Sequence, residues 1–164
     1  MAITRTFNQD YSFGKANEAK SLPILNEFFD TDLIHIQDQY APFDFENSEY
    51  AIEQKSRNCS VRDYATTMLQ YKKILHCNLP YYGEKEKWFI FRFTDGLYGI
   101  KYDKEVFKKY VPILTKVQDR VGIIEKKELR IFIDTKDLVF LAKLGPSGEE
   151  EQGNDPRITV CLLD

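Results

Sequence analysis

The stretch Pro42-Phe43-Asp44-Phe45-Glu46-Asn47-Ser48-Glu49-Tyr50-Ala51-Ile52-Glu53-Gln54-Lys55 decides how this chain is read. From Tyr50 to Lys55 the side chains alternate with a period of two, as in a strand. Tyr50, Ile52 and Gln54 share one face, and Ala51, Glu53 and Lys55 share the other. Asn47-Ser48 is turn chemistry and folds the Asp44 segment back alongside as a β-hairpin. The hairpin brings Asp44 to Glu53 with the Lys55 ammonium beside them. Two carboxylates form a hard oxygen site suited to magnesium or manganese. A lysine there can polarise a water or steady a phosphate. The set fits metal-assisted phosphodiester hydrolysis.

The flanks extend this pattern. An opening helix is expected over about Gly14 to Phe29, where Glu18, Leu22, Leu25 and Phe29 fall on one face. Pro23 either kinks that helix or lets Ser21 cap a second short one. Asp32 to Gln37 reads as a strand ahead of the hairpin. Ser60 to His76 reads as a second helix, with Ser60 and Asp63 forming a capping-box-like start. Trp88 to Phe93 and Leu97 to Tyr102 read as aromatic-rich strands joined by the turn Thr94-Asp95-Gly96. Asp103 to Tyr110 reads as a helix, and Glu128 to Ile133 and Leu138 to Leu141 as strands. Residues 145–156 read as a solvated, mobile loop and Arg157 to Leu163 as a final strand. The expectation is one α/β (α+β) domain over residues 1–164, a central mixed sheet flanked by helices in the order αβββαββ. The core spans about 14–102, and a mixed C-terminal extension spans about 103–164.

A helix acid, an Asp, a Glu-x-Lys triplet and a polar residue on a second helix follow one another as Glu18, Asp44, Glu53-Gln54-Lys55 and Gln70. This order resembles the PD-(D/E)xK nuclease superfamily, over roughly Gly14 to Tyr102. The resemblance implies a restriction-endonuclease-like core and a Mg2+- or Mn2+-dependent nuclease of the restriction-like or junction-resolvase-like kind. It implies that Asp44 and Glu53 hold metal, that Glu18 helps directly or through water, and that Lys55 assists the attacking water. Gln70 would orient lysine or substrate. Proline stands two residues before Asp44, as Pro42, rather than one. Ile74 stands four residues after Gln70, where the RecB-like exonuclease branch carries tyrosine. Many relatives act as dimers, which makes a homodimer one expected arrangement.

Charge distribution points the same way. The chain has 164 residues and a net charge of −3. Residues 1–54 carry −7, residues 55–130 carry +8 and residues 131–164 carry −4. An acidic segment able to hold a metal thus precedes a basic one able to meet phosphates. Arg57 continues the Glu53/Lys55 face and offers a planar fork to a phosphate. Lys72 and Lys73 lie near Gln70 and are expected on a nucleic-acid backbone, DNA being the leading substrate. Plainer explanations stand beside each: a same-face ion pair for Glu53 and Lys55, a turn residue for Asp44, and solvated lysines.

Other chemistries lack their residues. Cys59, His76 and Cys77 do not have zinc-ligand spacing. His35 and His76 have no nucleophile partner pattern, and neither common Gly-rich phosphate loop occurs, so no nucleotide cofactor is expected. No apolar run reaches bilayer length and no leader opens the chain, so no membrane association and an intracellular location are expected. Three cysteines, Cys59, Cys77 and Cys161, fit free thiols in a reducing compartment. The rival expectation is a catalytically inactive nucleic-acid-binding or scaffolding domain of the same fold. A third is an unrelated α+β interaction protein whose motif is accidental.

Overall fold

The computed structural model describes residues 6–118 and 125–158. Its elements are α1 (Phe7–Phe29), β1 (Ile34–His35), β2 (Phe45–Glu46), β3 (Tyr50–Ser56), β4 (Thr66–Gln70), α2 (Tyr71–Cys77), β5 (Glu86–Arg92), β6 (Gly96–Lys101), β7 (Ile113–Gln118), β8 (Glu125–Asp134), β9 (Val139–Leu144) and β10 (Glu150–Glu151). A seven-stranded sheet runs in the order β1-β2-β3-β5-β6-β9-β10, and a three-stranded sheet runs β4-β8-β7. The large sheet is mixed. β3 and β5 pair in parallel, from Tyr50 opposite Glu86 to Ser56 opposite Arg92. The other pairs are antiparallel. A parallel pair requires a crossover, which β4 and α2 supply.

The two faces of the large sheet bury different things. On one, Ile24 and Leu25 of α1 pack on Ile52, Ile90, Leu97 and Leu144. On the other, α2 and the small sheet bring Ile74, Leu69, Ile131 and Ile133 against Phe89, Phe91 and Tyr98. β3 is sandwiched between them, and Ala51, Ile52, Glu53 and Gln54 are all buried. Such a strand is buried on both faces, so its two charged or amide side chains at Glu53 and Gln54 need local partners.

α1 begins seven residues earlier than the periodicity suggests, because Thr6 and Gln9 form a reciprocal capping box. Pro23 lies inside the continuous helix and does not divide it. Ser21 Oγ donates to the Asn17 carbonyl at 3.0 Å one turn below. Glu18 and Leu25 are buried, and Leu22 and Phe29 partly so, which puts Glu18 at the head of the buried stripe.

The expected helix over Ser60 to His76 is corrected. Residues 66–70 form β4, and only Tyr71–Cys77 is helical. Thr67 and Leu69 alternate with more exposed neighbours, and Leu69 pairs with Ile131 of β8. Long-range pairing with β8 and two β-branched threonines outweigh the weak helical stripe. The Ser60 and Asp63 contact does form, with the Ser60 amide donating to Asp63 Oδ2 at 2.8 Å, but it closes a turn.

Smaller corrections concern the periphery. Of Asp32 to Gln37, only Ile34 and His35 pair. Asp103 to Tyr110 contains a 3-10 turn at Val106–Lys109 in place of an α-helix. Strand β7 has no counterpart in the sequence reading. The loop expected over 145–156 contains β10, paired with β9, and Asp155 accepts a 2.8 Å hydrogen bond from Tyr98. The expected final strand lies outside the described residues beyond Ile158, as does Cys161; Cys59 and Cys77 are free thiols. Among the described residues no helix is long and apolar enough to cross a membrane.

Candidate active site

The β2–β3 hairpin sets the site. Phe45 pairs with Ile52 and Glu46 with Ala51. One residue before β2, the Asp44 amide donates to the Ile52 carbonyl at 2.9 Å. Its Oδ2 accepts from the Gln54 backbone N–H at 2.8 Å. This clamp holds Asp44 across from Glu53. With Lys55, Gln54, Glu18 and Lys73, these residues line a cavity of about 480 Å³.

Glu53 is 2% exposed. Its Oε1 accepts from Lys55 Nζ at 2.7 Å and from Lys73 Nζ at 2.8 Å. Its Oε2 is buried and has no hydrogen-bond partner among the described residues. Burial alone would raise the Glu53 pKa, but the two ammoniums hold it below the ordinary carboxylate value. Burial likewise disfavours the charged Lys55, yet the Glu53 carboxylate raises its pKa above the usual lysine value, so Lys55 stays an ammonium. Asp44 differs. Burial, then the charges of Glu53 and Glu18, push its carboxyl up to about 8, against the opposing pull of the Gln54 N–H and Lys55. The acidic group is short of positive charge at Asp44 and of a donor at Glu53 Oε2.

Glu18 arrives from α1. Its Oε2 takes Lys15 Nζ at 2.9 Å and His35 Nε2 at 2.7 Å. Lys15 also donates to the Ile36 carbonyl at 2.8 Å and lies 3.9 Å from Asp44 Oδ1. Burial lowers the Lys15 pKa, but Glu18 and then Asp44 raise it on balance. Glu18 thus lines the cavity as the centre of an ion-pair network.

The sequence-derived set divides here. Asp44, Glu53, Lys55 and Glu18 come together. Gln70 does not join them: it ends β4, and its Nε2 donates to Glu128 Oε1 at 2.6 Å. The cause is the corrected helix, since α2 starts one residue later and presents Lys73 to Glu53 instead. Lys73, expected on a nucleic-acid backbone, is therefore inside the site, whereas Lys72 is exposed. Arg57 turns away from the acids. Its Nε donates to Thr67 Oγ1 at 3.1 Å, its Nη2 donates to the Met68 carbonyl, and it lies over the Phe91 ring.

Three members went unread in the sequence. Lys15 had a usable signal, one helical turn before Glu18. His35 had none, because its partner is seventeen residues away. Gln54 appeared only as the spacer of the triplet, yet it lines the cavity, and among the described residues neither Nε2 nor Oε1 of its buried carboxamide has a partner.

Asp44 and Glu53 fit a hard divalent cation on three grounds: an unpartnered buried carboxylate oxygen, an acid driven toward neutrality by burial and then by its acidic neighbours, and all-oxygen donors. Among the described residues, three or more His, Cys, Asp or Glu side chains do not gather into a ready-made ligand cluster. A cation here would therefore take part of its ligand shell from water or substrate, as magnesium does. Compared with protein-family models and with curated proteins, the chain matches neither.

Proposed function

We propose that this chain is a metal-dependent nuclease of the PD-(D/E)xK type that hydrolyses phosphodiester bonds, with DNA the leading substrate. The observation that carries the reading is the buried, unpartnered Oε2 of Glu53 beside a second carboxyl, Asp44, whose proton is retained to about 8. Such a pair is costly to bury unless a cation completes it. Further support comes from element order. α1, then β1, β2 and β3, then α2, then β5 and β6 follow the αβββαββ expectation, with β4 inserted before α2. That order supports the restriction-endonuclease-like core as the finer description of the mixed sheet.

Magnesium or manganese held by Asp44 and Glu53 would supply a Lewis acid and a water of lowered pKa. The chain's own residues do the rest. Lys55 remains protonated, so it acts as a hydrogen-bond donor to a phosphate oxygen or to the attacking water. Lys73 holds Glu53 Oε1 from the opposite element and keeps Glu53 ionised. Gln54 fixes Asp44 through its backbone N–H. The Glu18, Lys15 and His35 network fixes the α1 wall.

One observation favours the second reading, a binding or scaffolding domain without turnover. Lys55 and Lys73 both neutralise Glu53, so a cation is less needed at Oε1. A single experiment separates the two: cleavage of single-stranded, duplex, flapped and four-way-junction DNA and of RNA, with magnesium or manganese, beside Glu53→Ala and Lys55→Ala. The nuclease cuts with metal and both variants fail. Absence of metal-dependent cutting in the folded wild-type chain would sink the nuclease reading.

A further inference from the structure

A second cavity of about 240 Å³ adjoins the first and shares Phe13, Ser56 and Asn58 with it. It opens where β3 and β5 end together, at Ser56 and Arg92. The carboxyl ends of parallel strands are where open α/β sheets place ligands. The charged residues lining it are Lys20, Arg57 and Arg92, all cationic.

Arg92 is 5% exposed, and its acceptors are neutral. Nη1 donates to Ser21 Oγ at 3.0 Å, and Nη2 donates to the Gly148 carbonyl. Among the described residues no carboxylate lies within ion-pair distance of it. Burial lowers its pKa, and Glu149 only partly offsets that. Glu149 instead lies 3.8 Å from Lys20, and both of those side chains are well exposed. Arg57 has neutral acceptors too, although its guanidinium is turned toward β4. A buried guanidinium without a counter-charge is expensive unless an anion arrives to complete it. The wall opposite is the Gly145–Gly148 turn, closed by a 2.9 Å backbone hydrogen bond from Gly148 to Gly145. Asn17 and Asn58 add neutral polar groups to the lining.

We propose that this basic cavity is a phosphate-binding site, built on Arg92 and Lys20, that holds a second phosphate of the strand whose scissile phosphate enters the acidic cavity. Its identity as a strand phosphate rests on the nuclease reading; its affinity for phosphate does not. An arginine fork and a lysine suit the oxygens of a backbone diester or a terminal monoester equally.

The test uses the full chain in chelator, so that nothing is cut. Inorganic phosphate is titrated while the Nε–H resonance of Arg92 is followed by NMR, with chloride at matched ionic strength as control. A saturable shift specific to phosphate is expected, and it weakens severalfold in Lys20→Gln, an exposed position that leaves the fold intact. A shift that chloride reproduces, or one unchanged in Lys20→Gln, overturns the proposal. Short strands then identify the source: one with a terminal phosphate, one with a terminal hydroxyl, and one with a neutral methylphosphonate at successive internal linkages. Loss of affinity on removing the terminal phosphate identifies a monoester, and loss at one internal linkage identifies a diester. Insensitivity to both overturns the proposal. Arg92→Gln should abolish whichever preference exists, and Lys20→Gln should reduce the salt slope of strand binding by about one unit. Phosphate binding without cutting by the metal-loaded chain would defeat the nuclease reading alone; cutting without phosphate preference would defeat this proposal alone.

Discussion

The two adjoining cavities place charge in opposite ways, although they share one strand end. The first is lined by Asp44, Glu53 and Glu18 and answers them with Lys15, Lys55 and Lys73. The second buries Arg92 among neutral acceptors. In the acidic cavity most charge is compensated within the chain and the deficit is local, at Asp44 and at Glu53 Oε2. In the basic cavity little is compensated. A compensated site keeps its shape without ligand, whereas an uncompensated one gains most when a ligand arrives. On the proposed function, the acidic side is a preorganised centre and the basic side an affinity element.

The sharpest way to break this contrast is at Glu53. Glu53→Gln leaves Lys55 and Lys73 facing a neutral amide in a largely buried setting. Breaking such a pair from one side should cost about 3 kcal/mol of stability. For a chain of this size that corresponds to a melting temperature lower by about 6–12 °C. Metal-dependent cutting should fall by at least about 10³-fold. A variant with wild-type stability would show that the two lysines do not depend on Glu53.

Asp44 gives the next effect, and its sign depends on pH. Folding raises its carboxyl from 3.8 to about 8, so the folded chain holds a proton that the unfolded chain has released. Stability from this group is complete below pH 3.8 and is lost as the pH climbs through about 8. Glu53, Glu18, Lys55 and Lys15 are the charges that face it. In chelator, unfolding free energy should therefore decline over that window by a few kcal/mol at most, on the order of the shift. Asp44→Asn should flatten that decline and leave the metal-free chain more stable at pH 9. Magnesium should bind more tightly as the pH rises, with proton release measurable by calorimetry in two buffers. A decline that persists unchanged in Asp44→Asn would assign it to another group.

How much of this was legible in the chain follows from the range of each interaction. The Asp44/Glu53/Lys55 arrangement was legible because a hairpin with period-two alternation is a local pattern, and eight intervening residues fix its register. Glu18 was legible as the head of an apolar helical stripe. Gln70 was misplaced because residues 66–70 satisfy a weak helical pattern alone, while pairing with β8 some sixty residues away makes them a strand. The same error hid Lys73, whose role depends on where α2 starts. Arg57 was put on the correct strand end, but its acceptors at Thr67 and Met68 exist only once β4 is a strand. The basic cavity was not legible at all. Lys20, Arg92 and Gly148 come from three distant segments, and Arg92 looks like an ordinary strand residue until its neighbours are known.

A smaller effect is expected at the loop that walls the basic cavity. Gly148 has a φ of +79°, and a Cβ there would lie 3.3 Å from Arg92 Nη2. Gly148→Ala should cost about 1–2 kcal/mol, through the left-handed backbone and the displaced guanidinium. Phosphate affinity should fall with it while metal binding at Asp44 and Glu53 stays unchanged. Loss of both together would mean that the two cavities are not separable.

The smallest effect is expected in the acidic cavity, at Gln54. Its carboxamide is buried with neither polar atom partnered among the described residues, so it opposes folding by its desolvation. Gln54→Met keeps the volume, removes both orphan atoms and leaves the backbone N–H that clamps Asp44. In chelator the variant should be more stable by about 1 kcal/mol. Under magnesium with substrate the balance should reverse, because a polar group retained at a folding cost is expected to meet one in the bound state. Gain of stability with loss of turnover, and unchanged metal affinity, places Gln54 as a positioning residue for substrate. Gain of stability with full turnover reduces it to a spacer in the triplet, and its part in the site is then the backbone N–H that clamps Asp44.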